Sequence, residues 1–193
     1  MSSNFLEIDN ATFAASTKNK VNNVSLTIKK EGEIVCLLGP SGIGKTTMLR
    51  TIAGLQNLQS GKITLKGKTI SSKDYNLEPE KRNIALCFQD NSLFPHYNVI
   101  DNINIGAKRN KNSKFSYSDN DLIKILHLED LKDKYPHEIS AGEAQRVSLA
   151  RSLMSKPDLL LLDEPFSNID QSLKDELQKR IKDILKELNI TTI

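Results

Sequence analysis

Apolar side chains recur along this chain with two different periods. In LEIDNATF (6–13) and VNNVSLTI (21–28) they fall loosely on every second position, the spacing of strands half-buried against a core. Lys29-Lys30-Glu31-Gly32 reads as a polar turn. Ile34-Val35-Cys36-Leu37-Leu38 then runs apolar without a break, which predicts a strand buried on both faces. It feeds a glycine-rich loop and TTMLRTIAGL (46–55), which has helical spacing and closes on Gly54. KITLKGKTI (62–70) reads as another alternating strand, while IALCF (84–88) and LLLL (159–162) predict two more buried strands. From about Gln89 to Lys156 helical spacing dominates, clearest in DLIKILHLEDL (121–131) and AQRVSLARSLM (144–154). SLKDELQKRIKDILKEL (172–188) sets Leu173, Leu177, Ile181, Leu185 and Leu188 on one face of an amphipathic helix, and the closing ITTI opens one more strand. The stretch 108–118 is polar, basic and unpatterned, as surface loops are. There is no internal repeat. Buried strands alternating with helices predict an α/β fold with a largely parallel sheet, into which the helical middle is inserted as a subdomain.

Composition narrows the function. A chain of 193 residues makes one domain that buries about 70% of its unfolded surface, so neither a disulfide nor a structural metal is needed for folding. Its 27 Lys and Arg against 24 Asp and Glu leave a net charge of +3, which argues against a nucleic-acid binder and against a disordered polyanion. No apolar run approaches the roughly 20 residues that cross a bilayer. MSSNFLEIDN lacks both an apolar signal core and an Arg-rich amphipathic pattern, so the chain is expected to stay where it is made. Cys36 and Cys87 both lie in apolar runs, which predicts buried, reduced thiols.

Three segments carry chemistry. Gly39-Pro40-Ser41-Gly42-Ile43-Gly44-Lys45-Thr46, with Thr47 following, fits G-x-x-x-x-G-K-[ST] between a predicted strand and a predicted helix. Glycines let the backbone wrap phosphate oxygens, and successive N–H groups at a helix start supply positive potential. Lys45 suits the β- and γ-phosphates of a nucleotide, and the Thr46 hydroxyl suits Mg²⁺. The strand LLLL ends in Asp163-Glu164-Pro165. Carboxylates at the tip of a buried strand are costly unless they serve a cation or a reacting group. Asp163 suits the metal, and Glu164 suits orienting or deprotonating a water. Ser140-Ala141-Gly142-Glu143 reads first as a capping box, and a capped helix start is also an anion site.

Tyr135-Pro136-His137-Glu138-Ile139-Ser140-Ala141-Gly142-Glu143-Ala144-Gln145-Arg146, taken with those two motifs, resembles the ATP-binding-cassette ATPases, in which a Ser-Gly-Gly-Gln type sequence opens a helix. Gln89 directly after the IALCF strand looks like the family's glutamine loop, and Ser167-Asn168-Ile169-Asp170 like its D-loop. The resemblance runs from about residue 5 to the last residue. It implies a P-loop NTPase fold: a RecA-like, mostly parallel sheet, an N-terminal antiparallel β subdomain and an inserted helical subdomain. In one cassette, 1–90 and 157–193 would form the nucleotide-binding core, and 91–156 the helical subdomain.

The resemblance further implies ATP and Mg²⁺ as ligands, with Thr46, Gln89 and Asp163 at the metal. Lys45, Gln89 and Glu164 would be catalytic. Residues 39–47 would bind the nucleotide, while Ser140, Gly142 and Asp170 would act on the ATP of a second nucleotide-binding subunit, so two chains sandwich two ATPs. Phe13 stands near the family's adenine-stacking aromatic; the residues fit a core Phe equally well. Within the family, Gln89-Asp-Asn-Ser-Leu-Phe-Pro-His96-Tyr-Asn-Val-Ile-Asp-Asn-Ile103 is similar to importer subunits serving ferric iron, thiamine, polyamine or sulfate uptake. That implies membrane subunits docking near 89–103, a substrate-binding protein, and a peripheral place on the cytoplasmic face of the membrane. Exporters and soluble cassettes are the alternatives. The sequence departs from the family at Ala141, where glycine is usual, and at Glu143, where glutamine is commonest. His96, His127 and His137 all precede the position of the family's γ-phosphate histidine, so the chain is expected to be short at its C-terminus. These departures keep open a regulatory or catalytically impaired cassette.

Overall fold

The computed structural model describes residues 4–14, 20–88, 92–108 and 117–193. Among these the strands form two sheets. β1 (Leu6–Ala14), β2 (Lys20–Ile28), β3 (Ser60–Leu65), β4 (Lys68–Ser72) and β5 (Tyr75–Asn76) make an antiparallel sheet in the order β2-β1-β3-β4-β5. β6 (Ile84–Cys87), β7 (Leu159–Leu162) and β8 (Thr191–Thr192) lie side by side and parallel. The helices are α1 (Lys45–Ile52), α2 (Val99–Lys108), α3 (Asp119–Ile125), α4 (Ala141–Met154) and α5 (Gln171–Glu187).

Two apolar cores share the parallel sheet. Leu159 and Leu161 of β7 join α1 and the antiparallel sheet, whereas Leu160, one residue over, joins α2 to α5 on the opposite face. This is why LLLL reads as an unbroken apolar run: both faces of the strand are covered. In α5, Leu177, Ile181, Ile184 and Leu185 are buried along one stripe, and Leu173 and Leu188 pack at its ends.

Three expectations are corrected. KITLKGKTI is not one strand. Lys66 and Gly67 both have positive φ (49° and 76°) and form the two-residue turn of a hairpin between β3 and β4. The run at 34–38 is not buried on both faces. It meets β8 through a single bridge, Ile34 to Thr192, flanked by hydrogen bonds from Val35 N to Thr192 O (2.8 Å) and from Thr192 N to Glu33 O (2.9 Å). Val35 and Leu37 turn to the core, while Ile34 is 42% and Leu38 90% exposed. Cys36 shares the outer face and is exposed, so of the two reduced thiols only Cys87 is buried. An apolar run does not say whether one face or two will be covered.

Arg82 is the main polar group inside the first core. Its guanidinium donates to the carbonyls of Leu77, Thr51, Ile52 and Ile70 and to the side chains of Ser71 and Asn76, at 2.6 to 3.1 Å. It thereby caps the C-terminal end of α1, where a cation is favoured, and ties it to β4 and β5. Burial pulls its pKa down to about 10.

Candidate functional site

The glycine-rich loop at 39–44 is exposed and leads straight into α1. Gly44 takes the N-cap position with a φ of 107°, and a Cβ there would stand 2.3 Å from Val21 Cγ2. A side chain is thus excluded twice, by conformation and by space. No side chain caps α1 and no acidic residue lies in its first turn, so the positive end of the helix is open. Lys45 Nζ donates to the carbonyls of Gly39 (2.7 Å) and Pro40 (3.0 Å), folding its ammonium across the loop. Pro40, Ser41, Gly42 and Ile43 form the exposed crest of the loop. Thr47 is buried at the base of α1, and its carbonyl accepts a bond from the Thr51 hydroxyl (2.9 Å).

The second motif arrives from far along the chain. Asp163 follows β7 directly, is 7% exposed, and donates its backbone N–H to Cys87 O (3.1 Å). Its Oδ1 accepts a hydrogen bond from the Thr46 hydroxyl at 3.1 Å. A hydroxyl and a nearly buried carboxylate side by side are the oxygen donors that Mg²⁺ takes from protein, the remainder coming from water and phosphate. Glu164, the next residue, is exposed and has a φ of 51°, a strained conformation for a side chain of this size.

The third motif opens α4. Ser140 Oγ accepts from Glu143 N (3.3 Å), and Glu143 Oε2 accepts from Ser140 N (2.7 Å), closing the capping box. The hydrogen bond from the Ser140 backbone, more than any other influence, holds the Glu143 carboxyl below its ordinary value. Ala141 is the first helical residue and is not among those with positive φ, so alanine there carries no backbone strain. The glycine that is needed is Gly142: a Cβ on it would stand 2.5 Å from Asn168 O. Ser140, Gly142, Arg146, Asn168 and Asp170 line a hollow of about 280 Å³.

A larger groove of about 620 Å³ lies between the cores, lined by Leu55, Phe88, Phe94, Ile105 and Arg151 among others. Arg151 donates to Ser92 O (3.0 Å) and lies 5.4 Å from the centre of the Phe94 ring, which is 41% exposed. Gln89, expected at the metal, lies outside the described residues.

Phe13 is corrected. It is fully buried in the first core and has no open face for an adenine. The physical reason is a bulge: Asn10 has a φ of 45° and the pairing of β1 with β2 shifts after Ile8, so the inward set passes from Leu6 and Ile8 to Ala11 and Phe13. His96, His127 and His137 are all exposed. Sequence reasoning missed Gln145, which is fully buried against the turn that carries Glu164. A polar residue at a core position of the α4 periodicity was the signal available.

An open phosphate-type loop, a hydroxyl–carboxylate pair and a capped helix start on this two-sheet scaffold define a P-loop nucleotide-binding domain. The chain belongs to the ABC transporter family, whose profile matches residues 21–167. It is 42% identical over 190 residues to the Fe(3+) ions import ATP-binding protein FbpC of Fusobacterium nucleatum, covering 97% of this chain and 50% of that protein. It is 41% identical over 190 residues to the putrescine transport ATP-binding protein PotG of Escherichia coli K12, covering 97% and 49%. The chain thus spans about half the length of these relatives. Among solved structures, the ATP-binding cassette MJ0796 in a dimeric post-hydrolysis state with ADP and Pi matches with a TM-score of 0.80 and 25% identity, over 97% of this chain and 85% of that one. CbiO1 of Clostridium perfringens, part of the transporter complex cbiONQ, matches with a TM-score of 0.76 and 28% identity, over 98% and 77%.

Proposed function

We propose that this chain is the ATP-binding, ATP-hydrolysing part of an ABC importer. The observation that supports the proposal is the Thr46–Asp163 hydrogen bond, a hydroxyl and a carboxylate side by side at the open N-terminus of α1 that carries Lys45. The backbone N–H groups of 39–47 and the Lys45 ammonium bind the phosphates of ATP. Thr46 and Asp163, with Gln89, would hold Mg²⁺, which would supply positive charge against the phosphate oxygens. Glu164 orients and deprotonates the attacking water. Ser140, Gly142 and Asp170 complete the site of a second copy, so two chains enclose two nucleotides and hydrolysis reopens them.

The groove beside Phe94 and Arg151 suits an apolar helix of a membrane subunit, which supports docking along 89–103. Among the described residues no helix is long and apolar enough to cross a membrane; in this reading the membrane partners hold the chain peripherally at the cytoplasmic face. The division into a core of 1–90 and 157–193 and a helical subdomain of 91–156 belongs to the same reading. The cargo is chosen by the membrane and binding-protein partners; the relatives named above are Fe(3+) import and putrescine transport proteins. The deciding experiment is steady-state phosphate release by the full-length protein with Glu164→Gln as comparison. The variant is expected to bind ATP, cease turnover and accumulate an ATP-bound dimer. Turnover at the parental rate would remove Glu164 from the mechanism.

A further inference from the structure

Gln145 sits in the second turn of α4 with no solvent exposure, and its amide makes three hydrogen bonds to the neighbouring turn. Nε2 donates to Glu164 O (3.0 Å) and to Ser167 Oγ (3.2 Å), and Oε1 accepts from Asn168 N (3.1 Å). The amide orientation is dictated by these partners, because Glu164 O only accepts and Asn168 N only donates. One side chain on α4 therefore grips the backbone on both sides of the turn that follows β7. A second contact reinforces it: Gly142, one turn earlier, leaves just enough room for Asn168 O.

The gripped segment is strained. Glu164 has a φ of 51°, a conformation that costs a non-glycine residue on the order of 1 kcal/mol and persists only where the surroundings over-determine it. Besides the turn bond from Ser167 N (3.2 Å), the Gln145 amide is the group that accounts for the Glu164 carbonyl. The same amide lies five residues from Ser140, the cap of α4. The helix that Ser140 caps is consequently tied to the Glu164 turn by these bonds.

We propose that Gln145 is a positioning residue that fixes the Glu164 turn to the Ser140 turn, so that capture of the partner's phosphate by Ser140 sets the chain's own Glu164 for reaction. The proposal rests on the roles given above to Glu164 and Ser140. It makes each site of the dimer report to the other through a single buried amide, since the Ser140 turn serves the partner's nucleotide and Glu164 serves the chain's own.

Gln145→Met keeps the length of the side chain and removes all three hydrogen bonds. In the full-length protein it is expected to leave ATP affinity, read by titration with a fluorescent ATP analogue, within about twofold of the parent while kcat falls about 100-fold, the scale of a misplaced catalytic group. Cooperativity of turnover with ATP is expected to disappear. Ser167→Ala removes one bond at an exposed position and is expected to lower kcat several-fold at unchanged affinity. It decides the matter if Gln145→Met does not fold. A parental kcat in either folded variant overturns the proposal, as does a parallel loss of kcat and affinity. Glu164→Gln, assayed alongside, separates the failures: if it turns over at the parental rate the reading of Glu164 falls, whereas if it is inactive and Gln145→Met is not, only the role of Gln145 falls.

Discussion

Thr46 and Asp163, 117 positions apart in sequence, are joined by a 3.1 Å hydrogen bond in which the hydroxyl donates to the carboxylate. The first sits at the start of α1 and the second at the end of β7, so the contact is made only when the antiparallel sheet, α1 and the parallel sheet have all packed. Both oxygens suit Mg²⁺. Thr46→Val and Asp163→Asn are therefore expected to bind ATP with an affinity that no longer rises when Mg²⁺ is added, a loss of about tenfold or 1.4 kcal/mol. Titration with ATP in Mg²⁺ and in excess chelator measures it; an unaltered response to Mg²⁺ in both variants contradicts the assignment.

The capping box at Ser140 predicts an acid-sensitive contribution to stability. The Ser140 backbone N–H holds the folded-state Glu143 carboxyl below its ordinary 4.5. A depressed carboxylate stabilises the fold fully above the unfolded value and loses that contribution as pH falls through the lower folded one. Urea midpoints measured at and below pH 4.5 are expected to fall less steeply in Glu143→Gln, whose amide still accepts the bond, than in the parent.

The two cysteines are expected to behave oppositely. Burial pushes the Cys87 thiol up, opposed by its contact with Ser148 Oγ at 3.6 Å, whereas Cys36 is exposed at the sheet edge. A maleimide reagent is expected to modify Cys36 in the native protein and Cys87 only after denaturation. Cys36→Ser removes the fast phase; a fast phase surviving that change would place Cys87 at the surface.

Arg82→Met is expected to cost about 3 kcal/mol in urea unfolding, because it removes the guanidinium donor to the carbonyls of Ile52 and Leu77 and the second donor to those of Thr51 and Ile70, which keep bonds from Gly54 N and Leu77 N. Arg82→Lys should recover little, since an ammonium cannot reproduce the planar fork. Full recovery by lysine would show that charge alone matters there.

Phe13→Leu separates a core residue from a nucleotide platform. The substitution is expected to lower stability by about 1 kcal/mol while ATP affinity stays within about twofold. A loss of affinity larger than the loss of stability would restore the stacking role.

The site was legible where its physics is local. Gly44, Lys45 and Thr46 are tied to one another by a turn and a helix start, and Ser140 and Glu143 by a cap three residues long. These follow from neighbours, and the sequence names them. The stripe Leu177, Ile181, Leu185 in α5 is legible for the same reason. The hairpin in KITLKGKTI also had its signal, the Lys66-Gly67 pair between alternating stretches, although the alternation on either side obscured it.

What the sequence by itself determined, then, is the phosphate loop, the acidic strand end, the capped helix and the class of fold, because each rests on residues a few positions apart. The tertiary structure alone decided which face of 34–38 meets solvent, that a bulge at Asn10 turns Phe13 into the core, and that Gln145 reaches the Glu164 turn. Each of these depends on what a distant element places against the residue, and no spacing along the chain encodes that.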